Sequence, residues 1–156
     1  MEVFFAADSG NCEEIREKLQ QGCSLEASGE FERTPLLTAI FRGHLHAVQL
    51  LRQNGANINA RDKFQRSAIH IAAKEGHEEI LRLLLQEKFD VNSEDIFGRT
   101  PLHLAALKGH VKIAKLLLDH KANKNAKDNK GKIPLDLAHR GRKDNMIHFL
   151  ENWCAL

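Results

Sequence analysis

A period of 33 residues runs through the chain and limits its possible folds more than any other feature of the sequence. The period is carried by four positions: Thr34, Ser67, Thr100 and Ile133. Proline follows three of these four residues, and Gly-His pairs at 43, 76 and 109 keep the same spacing. A regular period of this length predicts a row of similar structural units, each in contact with its neighbours, instead of one globular core.

Each unit is predicted to be a pair of short helices. Threonine followed by proline, as at Thr34 and Thr100, favours a helix start, because the hydroxyl can accept a free backbone N–H and proline has none to lose. A glycine at 43, 76 and 109 then supplies the left-handed residue that ends the first helix. Apolar residues at helical spacing follow each glycine and predict a second helix. The predicted fold class is therefore all-α.

The best copy of the period reads Thr-Pro-Leu-His-Leu-Ala-Ala over residues 100–106, and a Gly-His pair and a run of three leucines follow it. This copy resembles the Thr-Pro-Leu-His-x-Ala signature of the ankyrin-repeat family. The resemblance implies a solenoid of stacked helix-turn-helix units with β-turn fingers. It extends over essentially the whole chain, with a capping unit at 1–28, full repeats at 29–61, 62–94 and 95–127, and a second capping unit at 128–156.

Composition and charge exclude several classes of protein. Hydrophobic residues make up 42% and charged residues 28% of the chain, which suits a folded soluble protein and leaves no unbroken apolar run for a membrane span. Three cysteines at unrelated spacings, and a start without a signal-peptide pattern, predict a cytoplasmic protein, with the nucleus as a further compartment. Residues 94–156 hold 12 basic against 7 acidic residues, but without interleaved aromatic residues this basic end does not predict nucleic-acid binding.

The nine histidines do not form a metal or catalytic pattern in the sequence. His44, His77 and His110 recur once per repeat, so they are expected about 10 Å apart, whereas zinc ligands each lie about 2 Å from one ion. His70 and His103 fall on the signature position and are expected to form hydrogen bonds within the framework. No nucleophile with a neighbouring base and no phosphate-binding glycine loop is recognisable. We therefore predict no enzyme activity, no cofactor, no metal and no small-molecule substrate.

Two columns of side chains are candidates for binding a partner. One column holds Phe31, Phe64, Phe97 and Lys130, and the other, two residues later, holds Arg33, Arg66, Arg99 and Lys132. The resemblance places both columns on the fingers with which family members grip partners, although the arginines could instead tie neighbouring turns together. Further candidates on the first helices are Phe41, Arg42, Lys74, Leu107 and Lys108. We expect a monomer that binds a partner protein with an acidic, hydrophobic segment.

The leading hypothesis is a non-catalytic adaptor, scaffold or inhibitor that holds its partner in a concave groove and against the fingers. Two alternatives stay open. Asn59, Asn92 and Asn125 stand at the repeat-end position that asparagine hydroxylases modify in related proteins, which would make the chain the substrate of an enzyme. A bacterial effector that acts on host proteins is the other alternative, and the sequence does not separate it from a resident protein.

Overall fold

Short α-helices arranged in pairs make up the protein. Within residues 2–154, which the computed structural model describes, there are ten α-helices, a single 3₁₀ turn over Glu30–Glu32 and no β-strand. The helices are α1 (Glu2–Ser9), α2 (Cys12–Gln20), α3 (Pro35–Arg42), α4 (Leu45–Gln53), α5 (Ala68–Glu75), α6 (Glu78–Leu85), α7 (Pro101–Lys108), α8 (Val111–Asp119), α9 (Pro134–Arg140) and α10 (Asp144–Asn152). The predicted all-α class is confirmed, and each of the five predicted segments contains one helix pair.

Threonine and glycine set the ends of the first helices as predicted. Thr34 caps α3 through its hydroxyl, which accepts a backbone N–H from the first turn over 3.4 Å. Gly43, Gly76 and Gly109 have φ angles of 82°, 83° and 80°, the left-handed conformation that ends α3, α5 and α7. In the last pair Arg142 stands at this place and has a φ of 52°, so the turn keeps its left-handed residue without a glycine.

The helices form two compact units, one over residues 2–68 and the other over residues 69–154 of the described chain. In the first unit α1 packs against α2 and α3, and α3 packs against α4. In the second unit α7 packs against α8 and α9, and α9 packs against α10. The fully buried side chains of the first unit include Ile15, Leu36, Leu37, Ile40 and Leu51, and those of the second include Ile80, Leu81, Leu102, Ile113 and Leu117. One helix pair is too small to bury its own apolar face, so contact between consecutive pairs stabilises each unit.

In the second unit, two histidines join consecutive helix pairs by hydrogen bonds. The Nε2 atom of His103 lies 2.9 Å from the Lys132 carbonyl oxygen, and its Nδ1 accepts the Thr100 N–H over 3.1 Å. His70 Nε2 lies 3.0 Å from the Arg99 carbonyl oxygen. Both contacts are the framework hydrogen bonds expected at the signature position. Because Nδ1 of His103 acts as an acceptor, the ring is neutral and carries its proton on Nε2.

Burial lowers the pKa of His103 below its ordinary value of 6.5 and outweighs the hydrogen bond to the Lys132 carbonyl, which acts in the opposite direction. Between this lowered pKa and 6.5 the unfolded chain binds more protons than the folded protein. The stability contributed by the neutral ring is therefore complete above about pH 6.5 and is lost as the pH falls toward the folded-state pKa.

We predict that the free energy of unfolding decreases as the pH falls through the ordinary pKa of histidine. Replacing His103 by glutamine removes the titrating group and should flatten this slope, while the lost hydrogen bonds cost about 1 to 3 kcal/mol at neutral pH. Urea unfolding at a series of pH values between about 5 and 8 measures both effects. His46 is exposed and provides the control, since His46→Gln should keep the wild-type slope. Equal slopes for wild type and His103→Gln would show that His103 is not buried in its neutral form.

Candidate functional site

Four tight turns, called fingers 1 to 4, carry most of the predicted binding residues and comprise residues 29–33, 62–66, 95–99 and 128–132. In finger 3 the buried Asp95 carboxylate accepts the N–H of Phe97 over 2.8 Å and that of Arg99 over 3.0 Å. The Asp95 N–H in turn donates to the Arg99 carbonyl over 2.9 Å. Finger 3 is thus closed around a buried carboxylate.

Fingers 2 and 4 are built in the same way. Asp62 accepts the N–H groups of the residues two and four positions later, over 2.9 and 3.1 Å, and Asp128 does so over 2.8 and 2.9 Å. Burial alone would raise the pKa of the Asp128 carboxyl, but the N–H donors of Lys132 and Lys130 outweigh it and hold the pKa below its ordinary value. Nothing in the sequence argument anticipates this aspartate column, although it keeps the spacing of 33 residues that could have revealed it.

Finger 1 differs because Gly29 stands where the other fingers have aspartate. Without the carboxylate, the finger becomes a 3₁₀ turn in which Phe31 has a left-handed φ of 58°, in addition to the left-handed residue that every finger has at its fourth position, Glu32, Gln65, Gly98 or Gly131. A residue other than glycine in this conformation costs on the order of 1 kcal/mol, so finger 1 is strained. A Cβ atom at position 29 would also collide with the ring of Phe4, which would have to move to admit a side chain there.

The arginine column is largely engaged by the protein's own carboxylates. In finger 2, Arg66 donates to Asp62 from Nε and Nη2 over 2.9 and 2.7 Å, and the Arg66 side chain is 10% exposed. Arg33 approaches the same carboxylate from finger 1 at 3.8 Å, and Arg99 approaches Asp128 at 3.9 Å. Arg66 thus closes its own turn, whereas Arg33 and Arg99 each lie near the carboxylate of the next finger.

Two of the cations on the first helices are also paired. Arg42 donates from Nε to Asp8 over 2.7 Å. Lys74 donates to the carboxylate of the next residue over 2.8 Å. Lys108 is exposed, and Leu107 beside it is half-buried. Arg42 in the first unit and Lys74 in the second are thus each paired with a carboxylate of the protein itself.

The phenylalanine column is more accessible than the arginine column. Phe31 is 43% exposed and Phe97 is 48% exposed, while Phe64 is half-buried. In the first unit the centroids of the Phe31 and Phe64 rings lie 6.1 Å apart, and Lys63 Nζ lies 4.3 Å from the Phe31 centroid. Ile96, next to Phe97 at the tip of finger 3, is 53% exposed. The finger tips therefore present large apolar side chains to solvent, some with a cation stacked on the ring.

The predicted binding residues fall into two groups, one in each unit. Phe41 is half-buried, and its ring centroid lies 4.0 Å from the Arg33 guanidinium. Lys130 is exposed in finger 4. The first unit holds Phe31, Arg33, Phe41, Arg42, Phe64 and Arg66, and the second holds Lys74, Phe97, Arg99, Leu107, Lys108 and Lys130. Contacts between rings and cations link the first group, and in the second the Arg99 guanidinium lies 5.2 Å from the Phe97 centroid.

The three repeat-end asparagines, Asn59, Asn92 and Asn125, are exposed. The Asn92 side chain joins two consecutive repeats, because its Oδ1 accepts the Asn123 N–H over 2.7 Å and its Nδ2 donates to the Lys121 carbonyl over 3.3 Å. Asn59 and Asn125 each donate their backbone N–H to the side chain two residues earlier, over 2.9 Å. The engagement of both polar atoms of Asn92 favours a structural role for that side chain.

Within residues 2–154, no group of three or more His, Cys, Asp or Glu side chains is arranged to hold a metal ion. None of the helices in the described part of the chain combines the length and the apolar composition needed to cross a membrane. Cys12, Cys23 and Cys154 are free thiols.

Two family models match the chain. One, described as ankyrin repeats (3 copies), matches residues 3–95, and another, described as ankyrin repeats (many copies), matches residues 84–138. The chain belongs to the ankyrin-repeat family. The resemblance seen over residues 100–106 is thereby confirmed, and ankyrin repeats generally mediate interactions between proteins without catalysing a reaction. No curated protein matches this ankyrin-repeat chain.

We predict that Asp62→Ala destabilises this ankyrin-repeat protein by about 3 to 5 kcal/mol, because it leaves the Arg66 guanidinium buried without its partner. Urea unfolding measures the change in the free energy of unfolding. The control is Arg82→Ala, which breaks the more exposed pair with Glu78 and should cost less than about 1 kcal/mol. Similar losses for the two variants would contradict the anchoring role of the Asp62 carboxylate.

Proposed function

We propose that this protein is a non-catalytic interaction module, an adaptor, scaffold or inhibitor, that binds a partner protein through its finger tips and the adjoining first helices. The observation that carries the proposal is the exposure of large apolar side chains on turns that are closed by hydrogen bonds within each finger. Phe31, Ile96 and Phe97 are each about half exposed. Burial of one such side chain gains roughly 1.5 to 3 kcal/mol, which contact with a partner supplies.

The fingers support this function because their conformation is set before a partner arrives. The Phe97 N–H donates to Asp95, and the Phe97 carbonyl accepts the Asn129 N–H of finger 4 over 3.0 Å. In the first unit the Phe31 carbonyl accepts the Lys63 N–H of finger 2 over 2.9 Å. Side chains held on a fixed backbone lose less conformational entropy on binding than side chains on a mobile loop.

The charge of residues 94–156, the C-terminal part of the second unit, fits a partner segment that is acidic and hydrophobic. Residues 94–156 hold 12 basic and 7 acidic residues, and two of the acidic residues, Asp95 and Asp128, are buried. Lys130 and Lys132 are exposed in finger 4, whose backbone is hydrogen-bonded to Phe97. Carboxylates beside an apolar side chain of the partner would complement this surface. The same reasoning does not extend to the first unit, where the predicted cations are paired internally.

Burial of the apolar finger-tip side chains does not by itself supply enough free energy for stable association. Three large apolar side chains contribute at most about 9 kcal/mol, whereas association costs about 4 to 15 kcal/mol. Polar contacts around the finger tips, and the half-buried Leu107 with the exposed Lys108 on α7, are the source of the remainder. We propose a monomer that binds its partner along such a combined surface.

We predict that replacing Phe31 and Phe97 together by alanine weakens partner binding by about 100-fold or more, because both rings lose their contact area. Affinity capture from the native source with identification by mass spectrometry, followed by calorimetry on the captured partner, measures the loss. The melting temperature should change little, since both rings are exposed.

Phe89→Ala is the matched control, because Phe89 is half-buried in the loop after α6 and lies outside the fingers. This variant should retain the partner. Full binding by the Phe31/Phe97 variant would refute the proposed surface. A collapse of its melting temperature would instead identify the rings as packing residues, which also refutes the proposal.

A further inference from the structure

The first unit contains a cleft of about 480 Å³, which we call the N-terminal cleft. It is lined by Phe4, Phe5, Asp8, Ser28, Gly29, Glu30 and Arg42. These residues belong to α1, to finger 1 with the residue before it, and to the last turn of α3. Arg42 alone among them is one of the predicted binding residues, so the cleft is a site that the repeat pattern does not indicate.

Two aromatic rings form the apolar side of the N-terminal cleft. The Phe4 and Phe5 centroids lie 5.7 Å apart, and their planes meet at 82°. Phe5 is 61% exposed, more than any other large apolar side chain in the described part of the chain. The Phe4 ring packs against Gly29, where a Cβ atom would collide with it. The glycine that replaces the aspartate of the other fingers therefore leaves room for this ring.

The polar side of the N-terminal cleft carries an excess of negative charge. Asp8 and Glu30 line it together with a single cation, Arg42. Both Asp8 oxygens already accept hydrogen bonds from Arg42, over 2.7 and 3.4 Å, so this pair is close to neutral as a whole. Glu30 is exposed and adds one further negative charge. Residues 1–28 as a whole hold 6 acidic against 2 basic residues.

We infer that the N-terminal cleft binds a cationic side chain, lysine or arginine, of a partner protein. The face of an aromatic ring attracts a cation, and the cleft is lined by two rings, of which Phe5 is the more exposed. The Glu30 carboxylate supplies the opposite charge at the cleft. An incoming carboxylate would instead have to displace Asp8 from Arg42 and would meet the charge of Glu30.

This inference rests on the proposed function only in taking the ligand to be a protein side chain. It assigns to the first unit a ligand of opposite charge to that proposed for the second unit. A partner that contacts both units would therefore need a basic residue for one and an acidic, apolar segment for the other. Each requirement can be tested without the other.

The test is an NMR titration of the full chain with three blocked pentapeptides, Gly-Leu-X-Leu-Gly, in which X is lysine, its uncharged analogue norleucine, or glutamate. The backbone amides of Ser28, Gly29 and Glu30 report on the cleft. We expect the lysine peptide to shift these signals with an affinity at least about two- to fivefold above that of the norleucine peptide, and the glutamate peptide to leave them unchanged. Phe5→Ala and Glu30→Gln should each weaken the lysine peptide by about two- to fivefold.

The inference is overturned by an equal response to all three peptides, by a stronger response to glutamate, or by undiminished lysine binding in both variants. It is also overturned if the lysine peptide shifts none of these amides at concentrations up to about 10 mM. The control is Phe89→Ala, which lies in the other unit and outside the fingers and should keep the full lysine response. Full partner capture by the Phe31/Phe97 variant, with an intact peptide response, would count against the finger-tip surface and not against the cleft.

Discussion

The rest of the structure depends on the hydrogen bonds that a buried aspartate at the start of a finger makes within that finger. In finger 3 the Asp95 side chain binds the N–H of Arg99, and the Asp95 N–H binds the carbonyl of the same residue. That carbonyl oxygen also lies within hydrogen-bond distance of His70 on the preceding helix pair. Arg99 thus closes the turn through its backbone, contacts the neighbouring helix pair and directly precedes the N-cap residue of the next helix. Helix pairs too small to fold alone are joined at this point.

Finger 1 shows what changes when the carboxylate is absent. Gly29 replaces the aspartate, Phe31 takes up a left-handed conformation that its counterparts in the other fingers lack, and the Phe4 ring packs against the glycine. Two of these observations belong together, because a Cβ atom at position 29 would collide with the Phe4 ring. The loss of a regular finger therefore accompanies a cleft with exposed aromatic and acidic side chains. Variation within a repeat protein here produces a site that the regular repeats lack.

Much of the fold could be predicted from the sequence because local rules set it. The cap at Thr34 and the left-handed Gly43 follow from the chemistry of single residues, and the period of 33 residues follows from their repetition. The candidate site was less predictable. Arg66 was placed in the right turn, but its burial against Asp62 depends on how that turn closes. The left-handed Phe31 occurs in the finger that lacks the aspartate, and no local preference of phenylalanine would indicate it.

Amide hydrogen exchange in the fingers tests most directly whether buried carboxylates hold the finger tips in place. Because the Asp95 carboxylate binds the Phe97 and Arg99 N–H groups, these amides should exchange about as slowly as those in the middle of α7. The Phe31 amide of finger 1, which has no aspartate, should exchange faster than that of Phe97. Exchange of the Phe97 and Arg99 amides at the rate of an unstructured peptide would contradict the central role given to the aspartates.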